Sequence, residues 1–218
     1  MHDEAFPGAA TAAAAERTGV VRHLPIPDND AVLVEAIRAG RGGAAAALFD
    51  RHAPHVRRVL VRVLGVDRDL PDLVQEVFVQ VLESLDRLQQ PKALRGWITS
   101  IAVFVARAHI RKKKRQQLFR FFAPSDIEEF VTAPDGTSHS EAVRSVYRVM
   151  AHLSADERIA FALRFVDGME LTEVAAACRV SLATIKRRLA SAQRKFAEEA
   201  RRHPELVPWL SGGGRWAQ

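Results

Sequence analysis

Apolar residues recur along this chain at spacings of three and four in separated runs, and no segment alternates as a half-buried strand would, which predicts an all-α protein. From Asp30 the pattern turns helical, and "AVLVEAIRAG" closes on Gly40, placed where a glycine ends a helix. "GGAAAALFDRHAPHVRRVLVRVLGV" follows, with Leu48, Phe49, Val56, Val59, Leu60 and Val63 at helical spacing; Pro54 is expected to bend or break this helix early. The cleanest period runs from about Asp69 to Arg87, where Leu70, Leu73, Val74, Val77, Phe78, Val81, Leu82, Leu85 and Leu88 share a face and Asp72, Gln75, Glu76, Gln80 and Glu83 lie opposite. After a turn at Pro91, a fourth helix is predicted from about Lys92 to Gln117. Its apolar positions Trp97, Ile98, Ile101, Ala102, Val105 and Ala108 point inward, and its end is the cationic run "RKKKR".

The period collapses over residues 118–139, where Pro124, Pro134, Gly136 and small polar residues have a linker's composition. Phe119, Phe121, Phe122 and Phe130 within it are more than a tether needs, so part of it is expected to pack on a neighbour. A second helical block covers residues 140–202. In it "SADE" is a capping box, with Ser154 as N-cap and Glu157 reaching back, and the helix it opens stops at Asp167-Gly168. The Ala-rich stretch 1–27 reads as a disordered extension and residues 203–218 as a flexible tail. The organisation is thus two helical domains, 28–117 and 140–202, joined by a flexible linker.

Composition narrows the function. Among 218 residues, Lys and Arg number 32 against 26 Asp and Glu, a net charge of +6 that favours a polyanionic partner. The single cysteine, Cys178, excludes an internal disulfide and fits a reducing, cytoplasmic setting. No run approaches the roughly 20 apolar residues of a membrane span, and the acidic N-terminus does not resemble a secretory signal. His52 and His55 share a helix face without further ligands, so neither a metal nor another cofactor is expected. No nucleophile triad, phosphate-cradling loop or carboxylate pair is present, which points to a non-enzyme without a small-molecule substrate.

The stretch "TEVAAACRVSLATIKRRL" is the most specific. Two helices joined by three residues can cross steeply only over a small side chain, here Ala175, with Val174, Cys178, Val180, Ile185 and Leu189 closing the core. Ser181 can cap the second helix, whose start presents Leu182, Ala183, Thr184, Lys186, Arg187 and Arg188. This is the layout of a helix-turn-helix, whose second helix enters the major groove. Arg179 stands at the turn, where glycine is common because φ is positive. "FVARAHIRKKKRQQ", residues 104–117, taken alone fits a membrane-surface helix, a solvated helix end or a grip on nucleic acid; the helix-turn-helix favours the last.

Taken together, "ALFDRHAPHVRRVLVRVLG", "LPDLVQEVFVQVLESLDRL", "LRGWITSIAVFVARAHIRKKKR" and "LSADERIAFALRFVDGMELTEVAAACRVSLATIKRRLASAQRKF" resemble, in order and spacing over about residues 30–200, the extracytoplasmic-function (ECF) group of bacterial sigma factors. The resemblance implies a dissociable subunit of RNA polymerase with a region 2 domain (28–117) and a region 4 domain (140–202). Asp72, Gln75 and Glu76 would dock on the β′ coiled coil of the polymerase core, whose β flap is a further partner. Arg95, Arg107, Arg111, Lys112, Lys113 and Arg115 would hold the minus-ten promoter element, with Trp97 read as core. The helix-turn-helix residues from Ser181 to Arg188 would read the minus-thirty-five element, and an anti-sigma factor is a possible further partner. Family members usually carry I-A-R-N-x-A-x-D where this chain runs from Ile101 to Ala108, so Val103 and Phe104 replace the Arg-Asn pair and Ala108 the acid. The rival reading is a helix-turn-helix regulator that never becomes a polymerase subunit; the acidic and basic helices side by side argue against it.

Overall fold

The computed structural model describes residues 29–120 and 138–206; the predicted N-terminal extension, Phe121, Phe122 and Phe130 of the linker and the tail from residue 207 lie outside them. Within the described residues there are helices and no strands. The first block comprises α1 (Asp30–Arg38), α2 (Ala44–Leu64), α3 (Leu70–Ser84) and α4 (Leu94–Arg120), with 3₁₀ turns at Leu85–Arg87 and Pro91–Ala93. The second comprises α5 (Ser138–His152), α6 (Ala155–Phe161), a π-helical turn (Ala162–Val166), α7 (Leu171–Cys178), α8 (Leu182–Ala200) and a 3₁₀ turn at Pro204–Leu206.

The helix ends obey local chemistry. Asn29 caps α1 by accepting from the Ala31 amide, and Gly40 takes the left-handed conformation just beyond it. The Ser154 hydroxyl accepts from the Glu157 amide while the Glu157 carboxylate accepts from Ser154 N–H, the expected capping box. A second, reciprocal box of Glu170 and Glu173 opens α7. Pro54 does not break α2 into two elements. The carbonyl it leaves unpaired is that of Asp50, on the exposed face where water serves it, while Leu48, His52, Val56, Val59, Leu60 and Val63 hold the helix on both sides of the proline. The ordered chain also continues past residue 202: Leu206 is buried and Glu205 accepts a hydrogen bond from Ser145.

α2, α3 and α4 pack against one another, and the other side of α4 meets α6 and α7. As a result α4 is buried nearly all round, and one apolar core runs through both blocks. Val103, a departure from the family pattern, belongs to that core at 1% exposure.

The blocks are joined by groups that complete each other's helix ends. The Arg158 guanidinium of α6 donates to the last-turn carbonyls of α2, Val63 O at 2.9 Å and Leu64 O at 3.0 Å, and the Tyr147 hydroxyl donates to Val61 O at 3.1 Å. In return Lys114 of α4 donates to Leu153 O beyond the end of α5. Helix C-termini carry unpaired carbonyls and partial negative charge, so cations there satisfy both needs. Gly65, at φ +78°, lies flat under the Tyr147 ring, where a Cβ would sit 3.1 Å from the ring carbons. No described helix is long and apolar enough to cross a membrane.

Candidate nucleic-acid interface

Asp72, Gln75 and Glu76 are all exposed on α3, opposite its buried stripe. Glu76 accepts from Gln80 at 3.3 Å, and the same outer face carries Val79 at 54% and Leu82 at 40% exposure. Acidic groups around exposed aliphatic side chains suit a basic protein surface and repel DNA.

The cationic residues of α4 separate by face. Arg111, Lys112 and Arg115 point outward. Lys113 turns to the other side and donates to the buried Asp67 carboxylate at 2.7 Å, beside His109 at 2.9 Å. Burial alone would raise the Asp67 carboxyl, but hydrogen bonds from His109, Lys113 and the Asp69 amide outweigh it and hold the group below the usual carboxylate range. Asp67, Asp69 and His109 also form the one group of three candidate metal ligands among the described residues, and Lys113 already neutralises it.

Arg95 lines a cleft of about 930 Å³ between the loop before α4 and the helix-turn-helix, together with Arg87, Gln90, Trp97, Asp167 and Arg179 among others. On its wall, the Thr99 hydroxyl gives its proton to Arg95 O at 2.8 Å, so His55 Nε2–H donates to Thr99 Oγ1, also at 2.8 Å. His55 Nδ1 then accepts from Arg58 and Arg95 at 3.3 and 3.4 Å. Burial, followed by the two guanidiniums, pushes the His55 pKa down to about 4, so the ring is neutral at pH 7. Arg58 pairs with Asp167 across the cleft at 3.3 Å.

The helix-turn-helix forms as its spacing predicts. Val174, Ala175, Cys178, Ile185 and Leu189 are buried, and burial pushes the Cys178 thiol pKa up, as suits core filler. Ser181 caps α8 by accepting from the Thr184 amide. Arg179 adopts φ 54°, the left-handed geometry expected at the turn, and its guanidinium donates to Ser100 Oγ on α4 at 3.0 Å, a contact no glycine could make. Ser181, Leu182, Ala183, Lys186 and Arg187 are exposed, with Thr184 half-buried.

Arg188 is turned back. It meets Asp156 at 3.4 Å, and the same carboxylate holds Arg107 at 2.8 Å and Arg111 at 3.5 Å, so one acid joins residues assigned to the two promoter elements. Next to it, Glu157 accepts from Lys195, Ser191 and Ser154; burial opposes its ionisation, yet those bonds prevail and push its pKa down to about 2. Sequence reading missed Asp156, Arg158, Tyr147 and Asp167. The available signal was the acid next to the capping glutamate in an otherwise basic block, which was read only as part of a cap.

Comparison with known proteins agrees with this geometry. The family model described as Sigma-70 region 2 matches residues 48–116, and Sigma-70, region 4 matches residues 144–195, between them more than half of the chain. The ECF RNA polymerase sigma-E factor of Escherichia coli (strain K12) is 28% identical over 170 residues, covering 74% of this chain and 88% of the relative. The ECF RNA polymerase sigma factor SigX of Bacillus subtilis (strain 168) is 28% identical over 165 residues, 73% and 83% respectively. Among solved structures, CnrH in complex with the cytosolic domain of CnrY superposes with a TM-score of 0.54 at 21% identity over 80% of this chain and 98% of that one. The sigma factor RpoE bound to the anti-sigma factor NepR, from Bartonella quintana, gives 0.54 at 20% identity over 73% and 98%. An acidic outer face on one helix, a basic helix beside it and a capped helix-turn-helix, in the order of regions 2 and 4, place this chain among the ECF sigma factors of bacterial RNA polymerase.

Proposed function

We propose that this sigma factor, which directs polymerase to promoters, divides the work among three surfaces. α3 docks on the polymerase core through Asp72, Gln75 and Glu76. The outward side of α4, with Arg111, Lys112 and Arg115 and the cleft residue Arg95, follows the minus-ten strand. The start of α8 reads the minus-thirty-five element through Leu182, Ala183, Thr184, Lys186 and Arg187. The observation that carries this reading is the opposition of charge on adjacent helices, exposed acids around Val79 on α3 and exposed cations on α4.

The chain acts by binding and positioning, with no chemical step of its own, in the cytoplasm where polymerase works. An anti-sigma factor, the kind of partner bound by RpoE in the Bartonella structure, is a further expected partner. The two promoter elements are about 25 base pairs apart, or about 85 Å of B-form axis, whereas Arg111 and Arg188 here share one carboxylate. The packed arrangement is therefore a resting form that opens on loading, when phosphates replace Asp156 as the partner of Arg107 and Arg188. Reconstitution with core polymerase tests the assignment: the double variant Arg111→Ala, Arg115→Ala should keep core association and lose promoter opening. Opening at the wild-type rate would reject the minus-ten surface.

A further inference from the structure

Phe104 is the most exposed large apolar side chain among the described residues, at 56%. It sits on the narrow strip of α4 that neither block covers. At 100° per residue, positions 97, 104, 108, 111 and 115 fall within about 60° of arc. They are the half-buried Trp97, then Phe104, Ala108, Arg111 and Arg115, the last four exposed, Ala108 contrary to the inward placement its spacing predicts because neither block covers this strip. The strip is thus aromatic at its first two positions, small at the third and cationic at the last two, with no carboxylate among them. Ala108 leaves room beside the ring, and Arg107, the neighbour that could fold over it, is held away by Asp156 at 2.8 Å.

An aromatic face next to a cationic track is the arrangement that takes single-stranded nucleic acid, the ring stacking on a base while the guanidiniums follow the phosphates. A duplex exposes no base face, so such a ring gains a partner only when a base has left the stack. We propose that Phe104 is the stacking platform for one unpaired base of the opened promoter strand, an inference that rests on the sigma reading and on the assignment of α4 to the minus-ten element. The family pattern places Asn at this position. An Asn amide reads a base edge by hydrogen bonds, whereas a phenyl ring offers only its face, and every base has a face. Phe104 therefore supports melting at this position without sequence discrimination there.

The test uses the full chain assembled with core polymerase on a promoter that the wild type itself selects from a library. A forked duplex carries 2-aminopurine in turn at each position of its single-stranded non-template arm. Wild type should quench one position, Phe104→Trp should quench the same one, and Phe104→Ala should not. Open-complex formation on duplex promoter should fall about 5- to 150-fold in Phe104→Ala, the range of one base–aromatic stack, and recover in Phe104→Trp. Changing the base at the quenched position should alter the wild-type rate less than threefold, and Phe104→Asn should become more selective. Because the ring is largely in solvent, truncation leaves the core intact, which circular dichroism and unchanged core association verify. Equal opening by wild type and Phe104→Ala overturns the inference and leaves the sigma reading standing. A wild type that selects no promoter with core defeats the sigma reading itself. Loss of core association in Phe104→Ala would make the ring a protein contact and likewise overturn the stacking role.

Discussion

Replacing Asp156 by Asn removes the one charge that three arginines share, at nearly constant volume. Arg107 is the strongest partner, 2.8 Å away and 19% exposed; Arg188 at 3.4 Å and Arg111 at 3.5 Å are weaker, the latter 60% exposed. With each ion pair contributing about 0.2–1 kcal/mol, the three together stabilise the joint by about 1–2 kcal/mol. At about 1.4 kcal/mol per factor of ten, Asp156→Asn should raise the ratio of open to packed molecules about 5- to 30-fold. Dyes on cysteines introduced at the exposed positions Asp50 and Glu198 report the separation of the blocks, and Cys178, being buried, should not label. Single-molecule energy transfer should show the low-transfer population growing by that factor, while added salt opens wild type and has less effect on the variant. Asp156 also lies in the first turn of α6, where it favours the helix dipole by a few tenths of a kcal/mol. Thermal unfolding separates that contribution from opening. An unchanged population in both Asp156→Asn and Arg107→Ala would refute the claim that this carboxylate holds the packed form.

Three further outcomes are expected. His55 has its pKa depressed to about 4, so the unfolded chain takes up a proton first; stability is full above about pH 6.5 and lost on the order of 2 kcal/mol as pH falls toward 4, and denaturant titrations of His55→Asn should lack that loss. Glu157, depressed to about 2, gives stability that is present above the ordinary carboxylate pKa and lost, on the order of 2–3 kcal/mol, as pH falls from about 4.5 to 2; Glu157→Gln should flatten the acid limb in that lower window alone. Lys186→Ala with Arg187→Ala should weaken duplex binding and lower the salt slope by up to about 2, one per phosphate contact; an unchanged slope would place these side chains off the DNA.

Local features of the fold were legible because each is written within a few residues. The stripe of α3, the Ser154–Glu157 box and the turn at Arg179 depend on neighbours at fixed offsets, and the structure forms all three. What stayed hidden depends on distant contacts. Pro54 looked like a break because the burial that holds α2 together is tertiary. Asp156, Arg158 and Tyr147 look like ordinary surface residues in the sequence, and only the packing of one block on the other brings them to Arg107, the end of α2 and Gly65. The run "RKKKR" read as one cationic track, but the helical turn carries Lys113 to Asp67 and Lys114 to Leu153 O, leaving Arg111, Lys112 and Arg115 outward. Val103 and Phe104 formed one departure from the family pattern in sequence and part in space, the first into the core and the second into solvent.

The central claim, that this chain becomes a polymerase subunit through α3 and then opens promoters, is tested most directly by adding it to sigma-free bacterial core polymerase with a promoter library and mapping transcript starts. The account predicts discrete starts that depend on the chain, and their loss with Glu76→Arg, which reverses charge on the exposed docking face while leaving the buried stripe of α3 untouched. A chain that binds specific DNA alone yet never associates with core, or a Glu76→Arg variant that initiates as wild type does, would contradict it.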